Sequence, residues 1–308
     1  MPFIIGDNHF LNTMVTLRAG PVSVGGVALE NHLLLAAGVL GTTGASLARM
    51  LSLGAGGVVT KSIGPVAKDG HAGPCLVVLG DGMLNAMGLP NPSKDFSEEL
   101  APLANRPVIV SIFGGSPEEF ATVASWFSGT AAGFELNLSC PHAEGYGSAI
   151  GTDPGLVEAC TRAVSGTGVP TWVKLTPNVT DITAIGRAAE RGGASALVAI
   201  NTVKAMRIST SLKRPVLGNR FGGLSGSPVF PIAVRCVFEL YEACRIPIIG
   251  CGGVSGADNV IEMMMAGASA VEIGSAVNRD VKVFETIRSE LYAKDGVPPD
   301  EIVGCAHG

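Results

Sequence analysis

The stretch IPIIGCGGVSGADNVIEMMMAGASAVEIGS, residues 246–275, places one amphipathic segment between two short apolar segments. The segments IPIIG and SAVEIG are apolar at nearly every position, which predicts strands that are buried on both faces. Between them, Val260, Ile261 and Met264 fall on one face of a predicted helix that stops at Gly267. A buried strand, a helix and a second buried strand form the repeating unit of a parallel sheet covered by helices.

Six more apolar segments of this kind precede the unit, so the chain carries eight predicted strands: LLLAAG from Leu33, GGVVTK from Gly56, PVIVSI from Pro107, GFELNL from Gly133, TWVKL from Thr171 and ALVAIN from Ala196. Helix-start signals lie between them. Ser116 and Pro117 open one helix, with Glu119 completing a capping box, and Asp153 and Pro154 open another. This alternation predicts the α/β class and a (β/α)8 TIM barrel, as a single domain over residues 1–308.

The alternation is interrupted twice, by long insertions at the carboxyl ends of strands 2 and 6. Residues 62–106 and 203–229 are too long to be simple connections. The carboxyl ends of barrel strands carry the chemistry in this fold. The two insertions are therefore expected to form walls or lids over a site.

The composition excludes several classes of function. The chain of 308 residues is 47% hydrophobic and 15% charged, with a net charge of −5 and no run of lysines or arginines, which disfavours nucleic acid and anionic membranes as partners. Its seven cysteines are scattered and never form a CxxC pair, so neither a disulfide framework nor a metal site is predicted. We find no signal peptide and no apolar run long enough to span a membrane. A cytoplasmic protein is expected.

If the barrel is correct, the residues that close its strands converge on one pocket. They are Ala37 and Gly38, Lys61, Ser111, Asn137 with Cys140, Lys174, Asn201 with Thr202, Gly252 with Gly253, and Gly274 with Ser275. The glycine pairs are predicted to bind phosphate through backbone N–H groups at helix starts, although tight turns alone also explain them. Both lysines follow apolar residues and need an anion, either a ligand or a barrel carboxylate such as Glu135.

Three further residues at these strand ends are candidates for direct chemistry. Asn137 and Asn201 each donate and accept hydrogen bonds, which suits a heterocycle with carbonyl and N–H edges, but asparagines also cap loops. Cys140 lies where the strand ends, between Ser139 and Pro141. Near two lysines its thiolate is able to act as a general base, and the alternative is a plain turn cysteine.

At this point the sequence resembles a known family. The motifs LNAMGLPNP, ELNLSCP, VKLTPN, AINTVKAMRI, NRFGGLSG and PIIGCGGVSGADNVIEMMMAGASAVEIG occur in order between about Val15 and Leu291. Together they resemble the class 1 dihydroorotate dehydrogenases, in particular the NAD-linked, partner-dependent type B subgroup. The resemblance implies the catalytic subunit of such an enzyme.

The resemblance implies FMN as the cofactor. Its phosphate would lie on Gly226, Gly252, Gly253, Gly274 and Ser275, and its ring and ribityl chain on Ala37, Lys61, Ser62, Ser111, Asn137, Lys174 and Ile200. Orotate or dihydroorotate would be held by Lys61, Asn85, Ala86, Met87, Gly88, Leu89, Asn137, Asn201 and Thr202. The first insertion would then form a wall of the substrate site.

The implied reaction oxidises dihydroorotate to orotate in pyrimidine biosynthesis. Cys140 would take a proton from C5 while hydride leaves C6 for the flavin. In the type B subgroup, electrons pass to NAD through a second chain that carries FAD and an iron–sulfur cluster, and a homo-oligomer is expected. Fumarate and a quinone-linked protein remain alternative acceptors.

The sequence departs from the family pattern at three positions. His142 stands where asparagine is usual, Ala37 where serine is common and Ser111 where asparagine is common. The motifs SCPH and KLTPNVTDI are also similar to the uracil-reducing domain of dihydropyrimidine dehydrogenases. Reduction of uracil and a non-catalytic flavin-binding subunit are therefore the alternatives. Dihydroorotate is favoured because the backbone amides of the NAMGL loop suit a substrate carboxylate, which uracil lacks.

Overall fold

The computed structural model describes residues 15–139 and 150–308. Eight parallel strands close into a barrel, and each one pairs with its neighbours along the chain. They are β1 (Leu33–Leu35), β2 (Gly57–Val59), β3 (Val108–Ile112), β4 (Gly133–Asn137), β5 (Thr171–Leu175), β6 (Ala196–Ala199), β7 (Ile248–Cys251) and β8 (Ala268–Ile273). The predicted TIM barrel and all eight predicted strand segments are thus confirmed.

Each barrel strand is followed by a helix. These are α1 (Gly44–Ser52), α2 (Ser97–Leu100), α3 (Pro117–Phe127), α4 (Pro154–Ser165), α5 (Ile182–Arg191), α6 (Phe230–Ala243), α7 (Ala257–Met265) and α8 (Val283–Leu291). A one-turn helix, α9 (Pro299–Ile302), comes after them. Helix α2 is a single turn between the 3₁₀ helices Ser93–Phe96 and Ala101–Leu103, so the crossover after β2 is mostly insertion.

The predicted helix starts are present, with one difference in detail. Ser116 accepts a hydrogen bond from the Glu119 amide, and Asp153 accepts from the amides of Gly155 and Leu156. The Glu119 carboxylate accepts from the Gly115 amide at 2.7 Å and not from Ser116 as a capping box requires. The predicted capping box is therefore wrong in its second half, because the Glu119 carboxylate reaches the amide before the N-cap residue and not that of the N-cap itself.

Alternate residues of each barrel strand face two different cores. Leu34, Val59, Ile109, Trp172 and Ile249 belong to a cluster inside the barrel, whereas their neighbours along the strands pack against the helices. The hairpin formed by the strands Val22–Val24 and Val27–Leu29 joins the interior cluster and closes the amino end of the barrel. The opposite, carboxyl end carries the insertions.

The two insertions build one antiparallel sheet of four strands. Its order is Val203–Ala205, Gly222–Gly226, Gly82–Asn85 and Leu76–Leu79, so strands from the second insertion pair with strands from the first. The sequence predicted two walls, and the structure joins them into one. This sheet holds the predicted substrate loop against the second insertion.

Short elements complete the described fold. The strands Leu17–Arg18 and Tyr292–Ala293 pair with each other, as do Ile208–Ser209 and Arg214–Pro215. Further 3₁₀ helices span Ile150–Thr152, Ser227–Val229, Ser275–Asn278 and Cys305–His307. Within the two described ranges, no helix is both long enough and apolar enough to cross a bilayer.

Candidate active site

Most of the predicted site residues on the strands lie at the carboxyl end of the barrel interior. Because side chains alternate along a strand, the residue two places beyond an interior-facing residue also faces inward. Lys61 follows Val59, Ser111 follows Ile109 and Lys174 follows Trp172 in this way. Strand pairing sets Asn137 beside Lys174 at the same level. This common alternation brings side chains from strands that lie far apart in sequence to the carboxyl end of the barrel interior.

Four predicted polar residues form a continuous hydrogen-bonded chain. The hydroxyls of Ser111 and Ser62 are 2.9 Å apart, and the Asn137 amide donates to Ser62 at 3.1 Å. The Asn201 side-chain amide donates to Asn137 Oδ1 at 3.1 Å. This row of hydrogen bonds crosses the open carboxyl end of the barrel, here called the mouth, from Ser111 of β3 to Asn201 after β6. The predicted convergence of Asn137 and Asn201 is therefore present, and the two asparagines hold each other.

Lys61 is a mostly buried amine that has no counterion among the described residues. Its Nζ lies next to Gly38, where a Cβ would be 3.9 Å away, and Ala37 lies beside that glycine, partly buried. No ion pair or hydrogen bond of this amine occurs within the described residues. Burial lowers the pKa of Lys61. An anionic ligand at this position would restore the charge that burial disfavours.

Lys174, in contrast, is already paired. Its Nζ is 2.5 Å from Glu272 Oε2 and 3.6 Å from Glu135 Oε1, and both carboxylates are fully buried. The alternative role that the sequence left open for this lysine, a pair with a barrel carboxylate, is thus present. Contact between Lys174 and a flavin remains a proposal, and it would involve a lysine that two carboxylates already hold.

The predicted phosphate glycines meet at one side of the mouth. Gly253 is packed against Gly226, where a Cβ on Gly253 would lie 2.8 Å from the Gly226 carbonyl oxygen. Gly252 lies against Ile200. The amides of Gly252, Gly253, Gly274 and Ser275 donate to no acceptor in the part of the chain that the structure describes. Free amides on a backbone without side chains suit a phosphate.

The position of these glycines differs in one respect from the prediction. Helix α7 begins at Ala257, after a loop, so Gly252 and Gly253 precede the helix start and are not part of it. Gly274 comes before the short 3₁₀ helix Ser275–Asn278. A phosphate here would therefore be held by loop amides, and the helix dipole would contribute less than the sequence suggested.

The predicted substrate loop meets the second insertion at a glycine. Asn85 donates to the Gly223 carbonyl oxygen at 3.3 Å, and Thr202 packs its hydroxyl directly on the Gly223 Cα. In the same loop, the amides of Met87, Gly88 and Leu89 have no acceptor within the described ranges, whereas the Ala86 amide donates to Cys75. Three consecutive free amides form a suitable site for a carboxylate.

Asn91 and Asn178, which were not among the predicted site residues, hold the substrate loop and the loop after β6 in place. Asn91 Oδ1 accepts from the amides of Gly64 and Ser93, and its amide donates to the Leu89 carbonyl at 3.0 Å. Asn178 donates to the Thr202 carbonyl at 3.1 Å and accepts from the Lys204 amide at 2.8 Å. Both lie inside motifs read as family markers, LNAMGLPNP and VKLTPN. Their turn-forming residue type was the available signal.

The predicted catalytic residue, Cys140, lies outside the described residues, and so does His142. Ser139 is the last described residue before residues 140–149, and its amide donates to Asn137 Oδ1 at 3.3 Å. Ser139 also holds a buried hydroxyl without a partner in the described part of the chain. The role of Cys140 therefore remains a prediction.

The donors around the mouth fit a flavin mononucleotide. The glycine loops offer amides on one side, the Ser62–Asn137–Asn201 chain offers amide and hydroxyl groups in the centre, and Lys61 offers a cation; as far as the structure describes the chain, the amides and the cation have no other partner. Such a set matches a phosphate, a heterocycle with hydrogen-bonding edges and an anionic substrate. Among the residues described, no cluster of three or more His, Cys, Asp or Glu side chains is placed to hold a metal ion.

Comparison with known proteins gives a consistent result. Residues 21–294 match the family model described as dihydroorotate dehydrogenase. A protein of Methanocella arvoryzae named dihydroorotate dehydrogenase B (NAD(+)), catalytic subunit, is 56% identical over 292 residues, covering 92% of this chain and 97% of the relative. Proteins of the same name from Methanosarcina acetivorans (56% identical; 92% and 94% covered) and Pyrococcus horikoshii (50%; 89% and 92%) are similar too. The chain therefore belongs to the dihydroorotate dehydrogenase family, whose members are flavin-dependent oxidoreductases.

Proposed function

We propose that this protein is an FMN-dependent dihydroorotate dehydrogenase that oxidises dihydroorotate to orotate in pyrimidine biosynthesis. The observation that carries the proposal is a set of donors without partners among the described residues: the Lys61 amine and, in the first insertion, the amides of Met87, Gly88 and Leu89. Dihydroorotate brings a carboxylate that these amides are suited to bind. A neutral pyrimidine brings no such group.

FMN is proposed to bind across the carboxyl end of the barrel. Its phosphate would be held by Gly226, Gly252, Gly253, Gly274 and Ser275, and its ring and ribityl chain by Ala37, Lys61, Ser62, Ser111, Asn137, Lys174 and Ile200. The free glycine-loop amides and the hydrogen-bonded chain through Ser62 and Asn137 support this assignment. When bound, FMN supplies a hydride acceptor.

The substrate is proposed to lie against the first insertion. Lys61, Asn137, Asn201, Thr202 and the loop from Asn85 through Ala86, Met87 and Gly88 to Leu89 would surround it. Asn201 holds its own loop through the Thr202 amide, which donates to Asn201 Oδ1 at 2.8 Å, and this leaves the Asn201 amide directed to Asn137. The two asparagines therefore orient a ring between fixed amide groups.

Cys140 is proposed as the general base that takes the C5 proton as hydride leaves C6. Its sequence position, directly after a strand that ends among the site residues, supports this role. A thiolate next to a cation is ionised more readily than a free thiol, and we propose that Lys61, which has no ion pair among the described residues, provides that cation. The C5 proton would go to sulfur, and the C6 hydrogen would leave with its electron pair as hydride.

Electrons are proposed to leave through a second subunit. The relatives are named NAD(+)-dependent catalytic subunits, and that name supports a separate partner chain. We further propose that this partner carries FAD and an iron–sulfur cluster, that the catalytic chain forms a homo-oligomer, and that the complex is cytoplasmic.

The substrate proposal is tested by mixing the purified FMN-loaded chain anaerobically with dihydroorotate or dihydrouracil. Dihydroorotate is expected to bleach the visible flavin absorption, and dihydrouracil is expected to leave it unchanged. A chain that binds no FMN, or that reacts faster with dihydrouracil, would contradict the proposal. In the same experiment, NAD alone is expected not to restore the colour, because the partner subunit is absent.

The role of Cys140 is tested by Cys140→Ser, with Cys305→Ser as the matched control because Cys305 is an exposed thiol. Cys140→Ser is expected to slow flavin reduction by about 100-fold or more while FMN stays bound, since general-base catalysis contributes roughly 10² to 10⁴. The control is expected to react at the normal rate. Normal reduction by Cys140→Ser would remove the assignment.

A further inference from the structure

Below the proposed flavin site, the barrel interior holds one lysine and two carboxyl groups. Glu135 of β4, Lys174 of β5 and Glu272 of β8 have side chains that are 0%, 6% and 0% exposed. Lys174 donates to Glu272 at 2.5 Å and is 3.6 Å from Glu135. Two carboxylates and one ammonium would leave a net negative charge in a dry interior, which is costly.

The hydrogen bonds of the three groups are unequal. Glu272 Oε2 accepts from Lys174, whereas both oxygens of Glu135 and Oε1 of Glu272 lack a partner in the described chain. A proton on Glu135 would let that carboxyl donate to the neighbouring Glu272 carboxylate and would remove the excess charge at once. The same proton on Glu272 would weaken the short contact with Lys174.

The electrostatics of the surrounding groups agree with this assignment. Burial, and then repulsion from Glu272, raise the pKa of Glu135 well above its usual value, against a smaller opposing effect of Lys174. The other titratable neighbour among the described residues, Cys251 of β7, has its pKa raised to about 12 by burial and stays a neutral thiol. It therefore supplies no charge to the cluster at neutral pH.

We propose that Glu135 and Glu272 share one proton in the native protein, and that this pair, acting through Lys174, keeps the charge beneath the flavin ring at zero. The second half of this proposal rests on the proposed function. A flavin that accepts electrons gains negative charge, so a free cation beneath it favours the reduced form and a neutralised cation does not. Glu135 and Glu272 are thus positioning residues that set how strongly Lys174 acts on the cofactor.

The first test is infrared spectroscopy of the chain without flavin. A protonated carboxylic-acid band is expected in the unsubstituted chain at neutral pH. It is expected to disappear in Glu135→Gln, and also in Glu272→Gln, where the remaining carboxyl ionises to pair with Lys174. Glu290→Gln, on the exposed face of α8, is the control and keeps the band. Absence of the band from the unsubstituted chain, or its persistence in Glu135→Gln, overturns the shared proton.

The second test is the midpoint potential of bound FMN. Each single variant keeps one carboxylate for one lysine, so each is expected to shift the ratio of reduced to oxidised flavin by less than tenfold. The double variant leaves Lys174 unpaired and is expected to raise that ratio by tenfold or more, which is about 30 mV for two electrons. Lys174→Met is expected to change the ratio by less than tenfold, because both buried carboxyl groups would then hold protons and the charge would stay at zero.

Failure of the proposed function can be distinguished from failure of the proposed action through Lys174. If the chain binds no FMN, the proposed function fails, but the infrared result still decides the shared proton. If FMN binds and the double variant shifts the potential only by the sum of the two single shifts, the action through Lys174 is contradicted. Lys174→Met gives the same decision if the double variant does not fold, because a ratio lowered tenfold or more by loss of the lysine would show that the cation is not neutralised.

Discussion

The two lysines at the strand ends show how similar sequence positions acquire different roles. Lys61 ends VTK and Lys174 ends WVK, and both point into the barrel. The sequence predicted that each needs an anion, and it named Glu135 as one possible partner. It did not identify Glu272, which lies 98 residues further along the chain from Lys174. Only closure of the barrel brings β8 to that lysine, so the pairing depends on the fold and not on local pattern.

Replacement of Lys61 is expected to raise the stability of the ligand-free chain and to weaken the binding of orotate. Because burial of an unpaired ammonium costs free energy, Lys61→Met should stabilise the ligand-free chain by about 1 kcal/mol. The same change should weaken orotate binding by tenfold or more, since it removes the cation that an anion meets. Urea unfolding and orotate titration measure the two effects. Lys294→Met, at an exposed lysine, is expected to change neither, and unaltered orotate affinity in Lys61→Met would contradict the assignment.

The raised pKa of Glu135 predicts a specific pH dependence of stability. The native protein keeps a proton on this carboxyl that the unfolded chain loses above about pH 4.3, so its contribution to stability is complete below that pH and is lost as pH rises. Relative to Glu135→Gln, the unsubstituted chain should lose up to about 1.4 kcal/mol per pH unit between pH 5 and 7. Urea unfolding of both proteins across this range measures the difference, and a pH-independent difference would contradict it.

At the scale of elements, the joined sheet of the two insertions was the least predictable feature. The segment NRFGGLSG resembles a family motif and contains Gly226, a glycine predicted to bind phosphate. In the structure, Gly222–Gly226 is a central strand of that sheet. Its glycines gave no apolar alternation that would indicate a strand. The barrel strands were predictable because each is a short, nearly continuous apolar run, which is typical of burial on both faces.

Gly223 is expected to be intolerant of even one added methyl group. A Cβ there would overlap the Thr202 hydroxyl, which must then move from its place in the proposed substrate site. We expect Gly223→Ala to leave the barrel folded and to reduce kcat/KM for dihydroorotate by tenfold or more. Gly129→Ala is the matched control, because a Cβ at Gly129 meets nothing within 4 Å. Steady-state kinetics with circular dichroism measures the effect, and equal kinetics of the two variants would exclude this role for Gly223.

At the scale of the whole molecule, the barrel divides into a closed apolar end and an end that we propose binds the ligands. At the amino end, Val24 and Val27 of the hairpin join the interior cluster around Trp172. At the carboxyl end, glycine loops and donors that have no partner in the described ranges replace apolar packing. Sequence alone predicted the strands, as short and nearly continuous apolar runs, and the residues that close them. It predicted neither the hairpin that closes the barrel nor Glu272 as a partner of Lys174, because both depend on contacts between distant segments.

This division predicts that damage to the closed end leaves the site intact. Trp172 is fully buried there, and its indole N–H donates to the Gly25 carbonyl at 3.4 Å. Trp172→Phe should lower the free energy of unfolding by about 2 kcal/mol, because it leaves a void and an unpaired carbonyl. FMN affinity should change by less than threefold, since the glycine loops lie at the other end of the strands. The partly exposed Trp126 of α3 provides the matched control, Trp126→Phe, for which we expect a smaller loss. Urea unfolding and FMN titration of both variants test the division, and a tenfold loss of FMN affinity in folded Trp172→Phe would show that the two ends are coupled.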